Sequence, residues 1–482
     1  MLILQITYLL ALIFVCVRII YDTRSNTKSL AYLLFAIFVP FAGMAFYLTV
    51  GVNYRNRRMY SKKLIENNEM SEKLRERVYR YSKQTLNLSD ATVQDHEELA
   101  TMLLRDNLSP LTSNNAVKLM LNGENKFPDV LQALKDAKNH IHIEYYIFED
   151  DEIGKKIEEI LVQKVLEGVQ VRVIYDDYGS RAIRKTMVPR MRAQGIQAYP
   201  FFKVRFITLA NRLNYRNHRK IIVIDGQTAY IGGINVSDKY INDVRYPEKL
   251  YWRDTHLRID GPGVQYLQYL FLCDWNFCTE LKLEPSEKFF PPLNSIPIKG
   301  NKIVQIAASG PDSSSPVILY AILQAISLAS KEILITSPYF IPNESLLDAL
   351  CVASMGGVKV KLLMPMKSDS LIVDYAVRSY YAELLRAGIE IYQYTRGFVH
   401  AKTMVCDAKI AMVGTANMDI RSFDLNFEVN AIVYDREFAT ELQSVFYEDL
   451  KSSAKLDAED LKKQSKLKTF FERVLRLLSP LL

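Results

Sequence analysis

His218-Arg219-Lys220-Ile221-Ile222-Val223-Ile224-Asp225 and His400-Ala401-Lys402-Thr403-Met404-Val405-Cys406-Asp407 are two copies of one pattern. Extended to Gly232 and Gly414, each reads H-x-K-x4-D-x6-G. Each runs into a small turn, Gly232-Gly233-Ile234-Asn235 in the first copy and Gly414-Thr415-Ala416-Asn417 in the second. The apolar run between Lys220 and Asp225 reads as a buried strand, and Asp225-Gly226 as a tight turn. Alternate residues of a strand share a face, so His218 and Lys220 aim at one spot, as do His400 and Lys402. A single H-x-K is weak evidence, because most lone histidines are structural. Here two of the chain's six histidines occupy equivalent points of a repeat. A pseudo-twofold axis would bring them together at the interface between two halves.

Outward from the motifs, strand-like and helix-like segments alternate, and they do so twice. In the first half, residues 129–138 are helix-like, 140–148 strand-like, 153–167 an amphipathic helix and 168–174 a strand. In the second, 319–330, 333–341, 346–355 and 357–363 repeat that order. Tyr146 and Tyr339 are 193 residues apart, and so are Gly195 and Gly388. Strands alternating with helices predict a duplicated α/β domain with a largely parallel sheet. The Pro291-Pro292 stretch up to Gly300 is the expected joint. The domains expected are thus residues 116–295 and 296–465, behind a helical connector at 54–115 and an anchor at 1–53, with an amphipathic helix at 466–482.

The anchor is read from two apolar runs, residues 2–20 and the charge-free stretch 30–52, each long enough to span a bilayer as a helix. The first lacks a basic leader and a small-x-small cleavage site, so it is expected to be retained. Pro40 and Gly43 are expected to kink the second. Arg55, Arg57, Arg58, Lys62 and Lys63 follow with no acid among them, which places that side, and the catalytic domains with it, in the cytoplasm. The five cysteines are scattered, which argues against a disulfide framework or a zinc site. A net charge of +7 allows an anionic partner without choosing between lipid and nucleic acid.

The halves differ in one place. From Gly195 to His218 is 23 residues, whereas Gly388 to His400 is 12. The extra residues fall in 201–217, which mixes Lys203, Arg205, Arg212 and Arg216 with Phe201, Phe202, Phe206 and Leu209. Two readings fit: an ordinary surface loop, or a basic, apolar lip in which Arg205, Arg212 and Arg216 meet lipid. In residues 466–482, helical spacing gathers Phe470, Phe471, Val474, Leu475, Leu477 and Leu478 on one face beside Lys468, Arg473 and Arg476. That face suits either a membrane interface or the protein's own core.

Two facing imidazoles suit a phosphodiester placed between them. One attacks phosphorus and forms a phosphohistidine. The other protonates the leaving alkoxide and later deprotonates the incoming alcohol or water. The lysines neutralise the non-bridging oxygens. This chemistry needs no metal or cofactor. It does need the two histidines in different protonation states, for which Asp254 in Trp252-Arg253-Asp254-Thr255-His256 and Glu428 in Asn426-Phe427-Glu428-Val429-Asn430 are the candidate carboxylates. His256 reads as structural.

The doubled motif, often called HKD, resembles the phospholipase D superfamily over about residues 116–450. The whole chain resembles the bacterial cardiolipin synthases of that superfamily. The likeness extends to Tyr-Tyr-Ile-Phe at 145–148, Asn217, Asp274-Trp275, Ser337-Pro338-Tyr339-Phe340-Ile341-Pro342 and the closing Leu-Ser-Pro-Leu-Leu. It implies two tandem phospholipase D-like α/β domains behind a two-helix transmembrane hairpin, in the bacterial cell membrane. It also implies an active site of His218, Lys220, Asp225, His400, Lys402 and Asp407, supported by Asn235, Asp254, Asn417 and Glu428. His218 is then the expected nucleophile and His400 the acid/base. The implied substrate is phosphatidylglycerol, with other anionic lipids and the bilayer as partners and no nucleic acid. Two phosphatidylglycerols would give cardiolipin and glycerol. A membrane-bound phospholipase D making phosphatidic acid or a nuclease of the same superfamily, and an inactive scaffold binding anionic lipid, are the competing readings.

Overall fold

The two motif runs become the strands Lys220–Ile224 and Thr403–Cys406, in which every residue is buried. The computed structural model describes residues 2–22, 26–48, 68–203, 215–243, 245–246, 248–292, 295–313, 315–462, 464–477 and 479. From the outer edge inward, the first half runs Gln197–Pro200, Gln170–Tyr175, His140–Tyr145, Lys220–Ile224, Thr228–Gly232, Thr255–Asp260, Thr112–Leu121. The second runs Glu390–Tyr394, Lys359–Pro365, Glu332–Thr336, Thr403–Cys406, Ile410–Gly414, Asn426–Tyr434, Lys302–Ser309, with Ser453–Lys455 added at its rim. The orders match position by position, and each motif strand is fourth. Thr112–Leu121 pairs antiparallel with Lys302–Ser309 and joins the halves into one sheet.

The sheet is mixed, not largely parallel. Only the outer three strands of each half are parallel. They are linked through helices such as Glu152–Leu166 and Glu344–Met355, the connection that parallel neighbours require. From each motif strand inward the pairing is antiparallel. The motif strands return at once through the Asp225-Gly226 and Asp407-Ala408 turns, and so short a link can only make a hairpin. The apolar alternation of these strands feeds a core shared by both halves, in which Ile221, Val223 and Leu257 lie with Val405, Val413 and Val429.

The motif aspartates end these strands, and the expectation that they stand in the active site is corrected. Asp225 and Asp407 have positive φ, 53° and 54°. The Asp225 carboxylate accepts the backbone N–H of Lys138, Asn139 and His140 at 2.7–2.9 Å. Asp407 accepts those of Ser330, Lys331 and Glu332, each at 2.8 Å. Burial would raise the Asp407 carboxyl, but these three donors hold it below its usual value. The aspartates thus tie each motif hairpin to its neighbouring strand, and roughly 17 Å of extended chain separates them from the lysines at about 3.3 Å per residue.

At the N-terminus, Leu2–Asp22 is one helix long and apolar enough to cross a membrane. The second apolar run is broken at Val39 into Asn26–Phe38 and Pro40–Phe46, because Pro40 has no N–H to continue the ladder. Val15, Ile19, Ala36 and Tyr47 pack these helices together. Ile3, Leu10, Phe14, Phe38 and Phe41 point outward and are at least 60% exposed. The basic cluster at 55–63 lies outside the described residues. The connector contains the helices Asn68–Leu88, Ala91–Gln94 and Glu97–Asn107.

Hydrogen bonds to a charged acceptor contribute about 1.5–3 kcal/mol each. Asp225→Ala and Asp407→Ala are therefore expected to lower the thermal unfolding midpoint by several degrees. Turnover per folded enzyme should stay within about threefold of the parent. Calorimetry beside specific activity checks this; lost turnover with an unchanged midpoint would return the aspartates to the chemistry.

Candidate active site at the joint of the two halves

Each motif histidine is held by the opposite half. Arg216–Asn217, just before His218, pairs in parallel with Asn426–Phe427, and the His218 N–H donates to the Phe427 carbonyl at 2.9 Å. Gly397–Val399, just before His400, pairs in parallel with Tyr251–Arg253, and the His400 N–H donates to the Arg253 carbonyl at 2.7 Å. These two-way clasps set the next side chains face to face. His218 Nδ1 lies 3.0 Å from Glu428 Oε2, and His400 Nδ1 lies 2.7 Å from Asp254 Oδ2. Each carboxylate therefore serves the histidine of the other half. Gly233 permits one of these contacts: a Cβ there would meet Asp254 Oδ1 at 2.1 Å.

The carboxylates are fully buried, whereas the His218 and His400 side chains keep 12% and 10% of their exposure, so the rings are the part a substrate can reach. Burial would raise the Asp254 carboxyl, but His400, Lys402 and the Thr255 N–H outweigh it and hold it low. Glu428 is likewise held low against burial by His218, Lys220 and the Thr415 hydroxyl. Burial pushes His400 down to about 3, with Lys402 adding to the effect and Asp254 opposing it. His218 is lowered by burial too, against the pull of Glu428. The carboxylates alone do not split the histidines into one charged and one neutral ring. Each Nδ1 faces a carboxylate that accepts its hydrogen, which leaves Nε2 as the other ring nitrogen.

Lys220 and Lys402 fold back, each ammonium donating to the carbonyl of its own motif histidine. Burial lowers Lys220 to about 7 and Lys402 to about 8. Aromatic rings wall the histidines. Tyr146 lies edge-on to His218 at 4.9 Å, and Trp252 and Tyr240 lie edge-on to His400 at 5.6 and 5.9 Å. Asn235 acts behind this wall, accepting the Ile147 N–H at 3.2 Å and donating to the Tyr240 hydroxyl at 2.7 Å. The Asn417 amide donates to Asp419 at 3.0 Å.

The basic lip is only partly in view. Arg205 and Arg212 lie outside the described residues. Arg216 is buried in the clasp strand with its guanidinium 4.4 Å over Tyr178, which corrects its expected role as a lipid contact on an open lip. Phe201 and Phe202 are buried against Phe277 and Phe427 and are not lip residues either. Sequence reasoning missed Thr415, whose hydroxyl donates to Glu428 and whose carbonyl lies 3.1 Å from His218 Nδ1. It also missed the buried Arg219–Asp274 ion pair and the Asn217–Glu144 hydrogen bond behind His218. Ala401 takes the place of Arg219 in the second motif, so that ion pair exists on one side alone. His256 is buried against the Gly232 turn.

Two H-x-K motifs meeting across matched α/β halves define a phospholipase D-like protein. The family model described as the cardiolipin synthase, PLD-like domain matches residues 130–246 and 322–450, and a phospholipase D-nuclease N-terminal model matches residues 10–51. The major cardiolipin synthase ClsA of Bacillus subtilis is 40% identical over 99% of this chain and 98% of its own length. Cardiolipin synthase 2 of Staphylococcus epidermidis is 39% identical, over 98% of this chain and 96% of its own. The solved phosphatidylserine synthase of Haemophilus influenzae covers 80% of this chain and 100% of its own at a TM-score of 0.60 and 14% identity, a likeness of fold. The chain belongs to the phospholipase D-like cardiolipin synthase family.

The lysines must be charged to bind a phosphate. With Lys220 near 7 and Lys402 near 8, kcat/KM is expected to fall as pH rises through that window, since each deprotonation removes a positive charge. A pH–rate profile on mixed micelles checks this; a flat alkaline limb up to about pH 9 would contradict it.

Proposed function

We propose that this membrane-associated phosphatidyltransferase joins two phosphatidylglycerol molecules into cardiolipin and releases glycerol. The observation that carries the reading is the crossed pair of carboxylate–histidine contacts, which engages Nδ1 of each imidazole and leaves Nε2 for a phosphodiester. His218 Nε2 attacks phosphorus in line with the glycerol oxygen. The P–O bond breaks, and the alkoxide takes a proton from His400. That proton is held on His400 by the bound phosphodiester anion, which offsets the burial that keeps the ring neutral in the free enzyme. The glycerol hydroxyl of a second phosphatidylglycerol then gives its proton to His400 and attacks phosphorus, and the P–N bond breaks. Lys220 and Lys402 neutralise the non-bridging oxygens throughout.

In this reading, residues 116–295 and 296–465 are two domains related by a pseudo-twofold axis, which the matching strand orders support. Residues 1–53 cross the bacterial cell membrane twice, with the catalytic domains cytoplasmic. The C-terminal helix lies in the membrane interface. Lys466–Arg476 packs on the domain through Arg476, which pairs with Glu383 at 3.1 Å and covers Tyr380, while Leu467, Phe470, Phe471 and Leu477 stay at least half exposed.

Purified protein in phosphatidylglycerol vesicles, with a chelator and no nucleotide, is expected to yield cardiolipin and glycerol in equal amounts by mass spectrometry. Phosphatidic acid as the sole product would replace the synthase with a phospholipase D.

A further inference from the structure

Lys239 follows His218 by 21 residues, and Arg421 follows His400 by the same 21. Neither belongs to the H-x-K motif. Lys239 sits in the short helix Asp238–Tyr240, just beyond the Gly232 turn. Its ammonium lies 4.7 Å from the centre of the Trp252 ring and 5.3 Å from that of Tyr240. These are the two rings that stand edge-on to His400. Lys239 is thus on the His400 side of the site and one ring away from the imidazole. It is half-buried, and among the described residues no carboxylate lies within ion-pair distance of it. Burial lowers its pKa, while Glu149, Asp369 and Asp254 raise it from a distance, so the pocket favours the ammonium without neutralising it. A desolvated cation with rings below it and no anion in contact is a site that an anionic ligand completes.

The reaction supplies that anion. The acceptor phosphatidylglycerol enters where the first glycerol left, on the side of the acid/base His400. Its attacking hydroxyl is three carbons from a phosphodiester of its own, which does not react. Lys220 and Lys402 are occupied by the donor phosphate. We propose that Lys239, walled by Trp252 and Tyr240, binds the non-reacting phosphodiester of the acceptor lipid and so selects a lipid acceptor over water or a simple alcohol. This rests on the cardiolipin synthase reading with His218 as nucleophile. Arg421 is the counterpart on the other side, acting electrostatically on Tyr146, which stands against His218.

The test is a competition in one vessel. Full-length protein in phosphatidylglycerol vesicles is given ethanol, and cardiolipin and phosphatidylethanol are measured together. Both products share the donor half-reaction, and ethanol has no second phosphate. Loss of one charge-assisted contact is expected to lower the cardiolipin-to-phosphatidylethanol ratio about tenfold in Lys239→Gln, and Lys239→Arg should restore most of it. An unmoved ratio would overturn the proposal, as would equal loss of both products, which would make Lys239 structural. A ratio moved by Arg421→Gln and not by Lys239→Gln would put the acceptor on the His218 side and overturn it as well. Wild-type protein that makes phosphatidic acid or phosphatidylethanol but no cardiolipin would instead refute the synthase reading beneath it.

Discussion

Two short parallel clasps govern this molecule. Arg216–Asn217 against Asn426–Phe427, and Gly397–Val399 against Tyr251–Arg253, are its cross-half strand pairs at the site. Each clasp ends on a motif histidine on one side and runs toward the carboxylate on the other, so backbone hydrogen bonds set the register of the chemistry. A one-residue slip would turn either histidine to the opposite face. The buried charges depend on the same register. Asp254 and Glu428 carry no exposure, and an unpaired carboxylate in that position would cost several kcal/mol. The pairs are affordable only as a crossed set, which binds the activity to the correct docking of the two halves.

The duplicated α/β order, the Tyr146/Tyr339 offset and the strands around both motifs are all legible in the chain, because apolar alternation and turn residues are local signals. The direction of the strands is less so. Helices between outer strands suggest a largely parallel sheet, but the turns after Asp225 and Asp407 are short, and short turns force antiparallel neighbours. The two carboxylates are also legible as residue types. Their partners are not: Asp254 follows His218 in the chain and Glu428 follows His400, yet each serves the other half's histidine. No local pattern encodes a contact across 146 or 210 residues.

The motif aspartates show the opposite failure. Asp225 and Asp407 look like catalytic acids when they are read as part of an H-K-D string. In three dimensions they are the far ends of two strands and hold left-handed turns against three backbone donors each. A repeated motif can therefore preserve a fold element and a reactive group in one string. Arg216, Phe201 and Phe202 make the same point. Their mix of charge and aromatic side chains resembles an exposed lip, but burial against Tyr178, Phe277 and Phe427 assigns them to holding the clasp.

In the proposed reaction His218 forms the covalent bond and His400 moves the proton. A donor lipid carrying a p-nitrophenyl headgroup separates the tasks, because p-nitrophenolate leaves without a proton. Rapid-mixing kinetics of His400→Ala with this lipid should give a stoichiometric burst of p-nitrophenol, with the phosphatidyl group retained on the peptide that contains His218. His218→Ala should give no burst. A burst in His218→Ala with the label on His400, or none in His400→Ala, would contradict the account.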